Sequence, residues 1–584
     1  MPKIISRNYT LQSLESLTRH GIHPVLARVY AARGIVEPGQ ITKKLSQLVP
    51  FENLKNILIM STFLADAIIA KKRLLIVADY DSDGATACAV GIRALRKFGA
   101  TVDYLVPNRF EYGYGLTPEI VQLAATITDG KQPDILITVD NGIASIEGVA
   151  EANRLGMQVL ITDHHLPGDK LPDATVIVNP NQPGCNFPSK NIAGVGVMFY
   201  LMLALRAELR VRGKFVSKKE PNLANLLDLV ALGTVADVVK LDENNRILVQ
   251  QGLYRIRNGR GCAGINALLG VVRRDFRQVS TYELGFMLGP RLNAAGRLDD
   301  MSLGIECLIT DDKFHAKQIA LQLDALNHQR REIEADMQDS AQVMIEKILI
   351  DQGSNQNDRI SHSLSLFDSC WHQGVIGILA SRIKDKLYLP VIAFAPGNDD
   401  EIKGSGRSIP GFHLRDALDI VSKLNPGLLL KFGGHAAAAG LTVRIGDFDK
   451  FRDAFEQTAQ TLLTPGDLLR IIETDGDLNE SEMNLELAQY LTEQVWGQGF
   501  PYPTFNARFE VENQRVVGGK HLKLKLRKYI SNTNKQALSH LYDAMLFFYQ
   551  DSLPKTIDAV YRLTINEYSG NTTLQLTLDY WAPV

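Results

Sequence analysis

The stretch Arg73-Leu-Leu-Ile-Val-Ala-Asp-Tyr-Asp-Ser-Asp-Gly84 decides the fold. Its first half is a short, continuous apolar run with no polar alternation, the pattern of a strand covered on both faces, as in a parallel sheet. It then breaks into acids. Three further runs have the same form: Asp134-Ile-Leu-Ile-Thr-Val139, Val159-Leu-Ile-Thr162 and Thr175-Val-Ile-Val178. Helical spacing separates them at residues 85–98 and 143–155. Strands alternating with helices predict an α/β fold around a parallel sheet.

Working outward from this core, residues 1–70 read as a helical segment and 71–312 as the first α/β domain. A long amphipathic stretch over 313–350 carries Ile319, Leu323, Leu326, Ile333, Met337 and Met344 at roughly helical spacing and reads as a connecting helix. A polar loop over residues 351–358 ends it. A second, smaller α/β domain follows over 351–464, with glycine-rich turns at Gly404-Ser-Gly-Arg-Ser408 and Gly433-Gly-His435. Residues 465–584 turn to strands. His521-Leu-Lys-Leu-Lys-Leu-Arg527 alternates strictly, and Ser569-Gly-Asn571 between two further runs reads as a hairpin, which together suggest a small β-barrel.

Composition excludes several classes. With 584 residues, three to four domains are expected. A net charge of −2 means that any basic surface is local and balanced elsewhere. The five cysteines are scattered and never spaced C-x-x-C, which argues against a disulfide framework or thiolate zinc and for a reducing compartment. The N-terminus lacks an apolar signal segment, and no run reaches the roughly 18 apolar residues of a membrane span, so a cytoplasmic protein is expected.

The chemistry lies where the apolar runs end. The first closes in Asp79, Asp81 and Asp83, the second in Asp140-Asn-Gly142, and the third in Asp163-His-His165. Asp237, in Gly233-Thr-Val-Ala-Asp237, closes the apolar segment 226–232. In open parallel sheets ligands collect at the carboxyl ends of strands. So many anions in one place require a cation between them, and carboxylates with imidazole suit Mn²⁺ or Mg²⁺. Residues 79–84 also fit the start of an EF-hand loop, but the twelfth position is Val90 instead of Glu, and the preceding segment is strand-like. Taken singly, Asp140 reads equally as a turn acid and the histidines as ordinary loop residues. Four contributors at segment ends are what favour a metal site.

These four strings resemble the motifs of the DHH phosphoesterase superfamily. Pro107-Asn-Arg-Phe-Glu-Tyr-Gly-Tyr-Gly115, Gly289-Pro-Arg-Leu-Asn-Ala-Ala-Gly-Arg297, Trp371-His-Gln-Gly-Val-Ile-Gly377, Gly404-Ser-Gly-Arg-Ser408 and Phe432-Gly-Gly-His435 narrow the resemblance to RecJ-type exonucleases. It covers nearly the whole chain. Phe500-Pro-Tyr-Pro503 departs from the family's usual string, and the barrel matches more loosely. The resemblance implies a DHH catalytic domain with two divalent cations, a DHH-associated second domain and an OB-fold-like barrel. It implies Asp81, Asp83, Asp140, His164 and Asp237 as ligands with Asp140 bridging. Asp79 and His165 would be ligands or their partners. It adds Arg109, Arg291 and His435 as phosphate contacts and implies release of nucleotides from a 5′ end of single-stranded DNA in repair and recombination.

A water shared by the two ions is the expected nucleophile. Arg407 suits a bidentate grip on phosphate, with Ser405 beside it. The plain alternatives are a surface ion pair and a hairpin turn. On the strand 521–527, Lys523, Lys525 and Arg527 share one face and leucines the other. An OB-fold would use such a face for single strands, whereas a solvated strand face is the ordinary reading. The stretch 371–377 reads equally as a cleft lining and as the start of a helix. A monomer served by a helicase and a single-strand-binding protein is expected. The rival functions are a small-substrate phosphodiesterase or oligoribonuclease, and a non-enzymatic replication scaffold similar to Cdc45.

Overall fold

The computed structural model describes residues 2–584 apart from 42–43, 114, 127–131, 217–218, 352–360, 530–539 and 569. The side chains of 109–110, 349–351 and 568 also fall outside the described set. The polar loop expected at 351–358 and Ser569 of the hairpin therefore lie almost wholly outside the described residues. Two compact units are present: Ile5–Asp324 with Glu473–Val584, and Met1–Ile4 with Ala325–Ile472. Among the described residues no helix is long and apolar enough to cross a membrane.

The first unit holds a five-stranded sheet of β1 (Arg73–Ala78), β2 (Thr101–Leu105), β3 (Ile135–Val139), β4 (Gln158–Thr162) and β5 (Val176–Val178), in the order β2-β1-β3-β4-β5. All four pairings are parallel. Every residue of β3 and all but the first of β1 are buried, which is why both strands read as unbroken apolar runs. The chain leaves β1 to lay down β2 on one side, then crosses to the other side for β3. Their carboxyl ends thus flank the point where strand order reverses, the usual crevice for ligands.

Helix α1 (Ser82–Phe98) starts directly from β1. Asp81 caps it, accepting from the amides of Asp83 and Gly84, and Gly99 closes it at φ 86°. A Cβ at Gly84 would lie 2.4 Å from the Asp79 carbonyl oxygen, so this glycine permits the tight strand-to-helix turn. Helices α2 (Gly194–Val211), α3 (Leu227–Ala236) and α4 (Gly289–Leu298) complete the surroundings of the site. The apolar segment before Asp237 is thus a helix; being apolar on every side, it carries no period that would have told helix from strand.

Helix α5 (Lys313–Asp351) spans 39 residues, as the amphipathic spacing predicts. In the second unit β6 (Leu364–Phe367), β7 (Val391–Pro396), β8 (Glu401–Arg407), β9 (Lys431–Gly434) and β10 (Ala438–Arg444) form a mixed sheet of order β9-β10-β8-β7-β6. Helices α6 (Ile376–Leu387), α7 (Leu414–Leu424) and α8 (Phe448–Leu462) accompany it, and Phe394, Phe412, Phe451 and Phe455 anchor its core. The two expected glycine-rich turns are corrected here. Residues 404–407 and 433–434 lie within strands β8 and β9. Gly404 and Gly406 serve close packing, since Cβ atoms there would come within 2.6 Å of Phe394 and 2.7 Å of Leu414.

The chain ends in a closed barrel, part of the first unit, of β11 (Phe505–Val517), β12 (His521–Lys528), β13 (Leu541–Leu546), β14 (Thr556–Tyr568) and β15 (Asn571–Pro583). Its order is β11-β12-β13-β15-β14, with β13 and β15 parallel. Burial alternates along β12, with Leu522, Leu524 and Leu526 inside.

Candidate metal centre

The turns after β1, β3 and β4 and the end of α3 bring their polar side chains together. Oxygens of Asp79, Asp81 and Asp140 lie within 4.8 Å of one another, and so do ligand atoms of Asp83, His164 and Asp237, and of Asp140, His164 and His165. His164 Nε2 is 3.1 Å from Asp140 Oδ1, 3.5 Å from Asp237 Oδ2 and 3.9 Å from Asp83 Oδ2. Asp140 belongs to groups on both sides of the cluster, the position a bridging ligand needs. Its backbone is left-handed at φ 64°, a conformation costly for a non-glycine residue and retained mostly at functional sites.

The residues fit divalent cations. Asp140 Oδ1, His164 Nε2 and Asp237 Oδ2 are buried and have no hydrogen-bond partner. Leaving three such atoms unmatched would cost on the order of 1–3 kcal/mol each, more for charged groups, unless something else bonds them. The carboxyls are also electrostatically frustrated without a cation. Burial and then Asp81 raise Asp83 to about 7, even though the amides of Gly194 and Val195 donate to it at 2.6 and 2.8 Å. Burial and the neighbouring aspartates, Asp83 foremost, push Asp140 and Asp237 well above the usual carboxylate range. His164 is driven down to about 4, by burial and then by His165, so its Nε2 lone pair is free for a metal at neutral pH.

Asp163, which sequence reasoning left without a role, organises the histidine turn. One of its oxygens accepts from the amides of His164 and His165 and lies 2.7 Å from His165 Nδ1, while the other accepts from the Ile143 amide. Burial is the largest single influence and opposes the His165 cation, yet the bond to Asp163 and the charges of Asp163, Asp79 and Asp81 together raise that imidazole to about 9. Asn179 and Asn181 donate to the carbonyls of His165 and His164. Asn293 of α4 accepts from the Ser82 amide and hydroxyl, fixing the start of α1. The signal for Asp163 was its place ahead of two histidines at a strand end, where an acid commonly orients metal-binding imidazoles.

The expected phosphate contacts are placed less uniformly. Arg109 begins a short helix, and its side chain lies outside the described residues. Arg291 is buried at 8% exposure, and its guanidinium bonds Asp324 and the Met287 carbonyl, so phosphate would have to compete with an internal acid. In the other unit Ser405 and Arg407 share one face of β8, Arg407 donating to Ser405 at 3.1 Å. A Cβ at Gly377 would lie 2.9 Å from the Arg407 guanidinium, so this glycine makes room for it. Residues 371–375 precede α6, and Trp371 is buried. His435 is exposed just after β9. On the barrel, Lys525 pairs with Asp543 at 3.0 Å and Arg527 with Glu512 at 2.8 Å, so this face is less cationic than the alternation alone suggests.

Fold and site together define a DHH-type phosphoesterase. Family models match in chain order: the DHH family N-terminal domain over residues 73–234, the DHHA1 domain over 360–461 and the RecJ OB domain over 474–580. The chain is 48% identical over 564 residues, 96% of each chain, to the single-stranded-DNA-specific exonuclease RecJ of Dickeya dadantii. It is 46% identical to its namesake from Escherichia coli, again over 96% of each chain. The crystal structure of RecJ in complex with Mn²⁺ from Thermus thermophilus superposes with TM-score 0.80 at 27% identity, covering all of this chain and 79% of that one. This chain belongs to the RecJ family.

Proposed function

We propose that the chain is a hydrolase that removes nucleotides processively or singly from the 5′ end of single-stranded DNA, using two divalent cations, Mn²⁺ or Mg²⁺. The observation that carries this reading is the convergence of Asp79, Asp81, Asp83, Asp140, His164 and Asp237, with three buried donor atoms lacking any partner. Relatives that align end to end are named single-stranded-DNA-specific exonucleases, and a barrel follows the nuclease body as a polymer substrate would require.

Asp79, Asp81 and Asp140 would hold one cation, and Asp83, His164 and Asp237 the other, with Asp140 shared. Bound there, the cations polarise the scissile phosphate and acidify the attacking water. The chain's own residues set the stage. The N-terminus of α2 fixes the Asp83 carboxylate through two amides. Asp163 fixes the histidine turn, and burial keeps His164 neutral. Ser405 and Arg407 are suited to hold a phosphate as a fork of donors, with Arg109, Arg291 and His435 as further candidates. A duplex end would first need a helicase to expose a free strand. A degraded scaffold would have lost donors, whereas here every motif position keeps an acid or imidazole.

The deciding experiment is a time course on end-labelled single- and double-stranded DNA with Mn²⁺, Mg²⁺ or chelator. Loss of label as mononucleotide, only from single strands labelled at the 5′ end and only with metal, is the expected result. Preference for a dinucleotide over a long strand would favour the small-substrate reading instead.

A further inference from the structure

Beside α3 lies a surface that folding alone does not account for. Tyr282 and Phe286 are 51% and 68% exposed, and their rings stack at 5.2 Å with planes 29° apart. Holding two aromatic rings together in water forgoes the burial that normally stabilises such side chains. Phe286 rides on a π-helical turn, Glu283–Leu288, a geometry found frequently at functional sites, and Tyr282 immediately precedes it.

The turn is pressed against the last turn of α3. A Cβ at Gly285 would come within 3.1 Å of Val235, and one at Gly289 within 3.1 Å of Ala236. The next residue along α3 is Asp237 of the metal centre, followed by Val238, which is 61% exposed at φ 61°. The turn that carries Phe286 therefore packs on the helix whose C-cap is Asp237. Arg274 Nε lies 3.4 Å from Met287 Sδ of the same turn and ties in the loop 273–278. That loop carries the exposed Arg273, Arg274 and Arg277, with Phe276 among them and Asp275 as its one acid. Arg277 is spent on Asp275, and Arg274 lies 4.0 Å from Glu283, whose other oxygen is taken by Ser280. Gln278 donates to Glu567 on β14, so the loop is also tied to the barrel within one compact unit.

Aromatic faces interleaved with guanidinium groups match alternating bases and phosphates. We propose that Tyr282 and Phe286 form a stacking ledge for unpaired nucleobases of the strand being degraded, with Arg273 and Arg274 facing its phosphates. The inference deepens the nuclease reading and rests on it. It also supplies a source of single-strand selectivity: bases in a duplex are already stacked and present only their edges, so they gain nothing from the ledge.

The test compares the full chain with Phe286→Ala, Tyr282→Ala/Phe286→Ala and Phe286→Trp, on a long single strand and on the same strand with abasic nucleotides. KM on the intact strand should rise about 10-fold in the alanine variants, more than kcat falls, and return toward the original value in Phe286→Trp. On the abasic strand the alanine variants and the unsubstituted chain should share one KM. An unchanged KM on the intact strand, or an equal loss on both strands, overturns the ledge. Failure of the unsubstituted chain to cleave any strand with Mn²⁺ overturns the nuclease reading beneath it.

Discussion

The edge of the parallel sheet and the outer face of β12 both display rows of like charge in sequence, and the fold treats them oppositely. At the sheet edge, aspartates from distant segments are packed together, and the raised imidazole beside them, His165, is held by Asp163; Asp140 Oδ1, His164 Nε2 and Asp237 Oδ2 have no hydrogen-bond partner. On β12, Lys525 and Arg527 are answered by acids of the adjoining strands, and Lys528, turned inward, bonds Asp477 at 2.8 Å. Charge that the fold neutralises itself is mostly part of the framework. Charge that it gathers and leaves unanswered points to a ligand. Surface ion pairs contribute roughly 0–1 kcal/mol, whereas an unanswered buried cluster is costly until its ligand arrives.

That contrast is open to direct attack. Asp140→Ala should have the largest effect, lowering kcat/KM on single-stranded DNA on the order of 10⁴-fold, as loss of a central catalytic group does. Calorimetry should show that it has lost tight binding of both cations; a variant that still binds two metals and retains substantial activity would break the bridging assignment. Asp163→Asn should weaken metal binding about 10–100-fold, in line with other groups that orient a ligand. If it binds as before, the hydrogen bonds to the histidine turn are ornamental.

A subtler effect concerns pH. The metal-free protein holds a proton on Asp83 up to about pH 7, since burial and Asp81 raise that carboxyl. A raised carboxyl favours the folded state below its unfolded value, near 4, and that support is lost as pH climbs through 7. Cation binding needs the ionised form. The melting temperature of chelated protein should therefore drop relative to the metal-loaded form between pH 5 and pH 8. A constant gap across that window would remove the frustrated cluster from the account. Smallest of all should be the barrel. Lys525→Ala and Arg527→Ala should leave the salt slope of strand binding nearly unchanged, while Lys523→Ala, on the same face, should lower it by at most ~0.7. A larger change at Lys525 would show that its pair with Asp543 opens for phosphate.

Much of this was legible in the sequence, for a physical reason. Strands β1, β3, β4 and β5 are buried on both faces, so their apolar runs mark them to within a residue. The acids that follow stand out against that background. What stayed hidden depends on contacts between distant segments. Asp324 lies far along the chain from Arg291, so the pair that occupies this arginine left no local trace. Gly404 and Gly406 read as turn residues because a glycine needed beside Phe394 looks the same as one needed for a bend. The stacked rings of Tyr282 and Phe286 carried no signal in the sequence, since only coordinates tell an exposed aromatic from a core one.

The amides of Gly194 and Val195, which grip Asp83, and the late arrival of Asp237 bear on how the protein is made. During synthesis, β1 and its three aspartates leave the ribosome well before α2 and α3 exist to complete the cluster. A nascent chain that stops short of α3 lacks Asp237 and so cannot present the group of Asp83, His164 and Asp237. If the proposed ligands hold, the cluster is complete only once the end of that helix has formed, which ties cation uptake to folding.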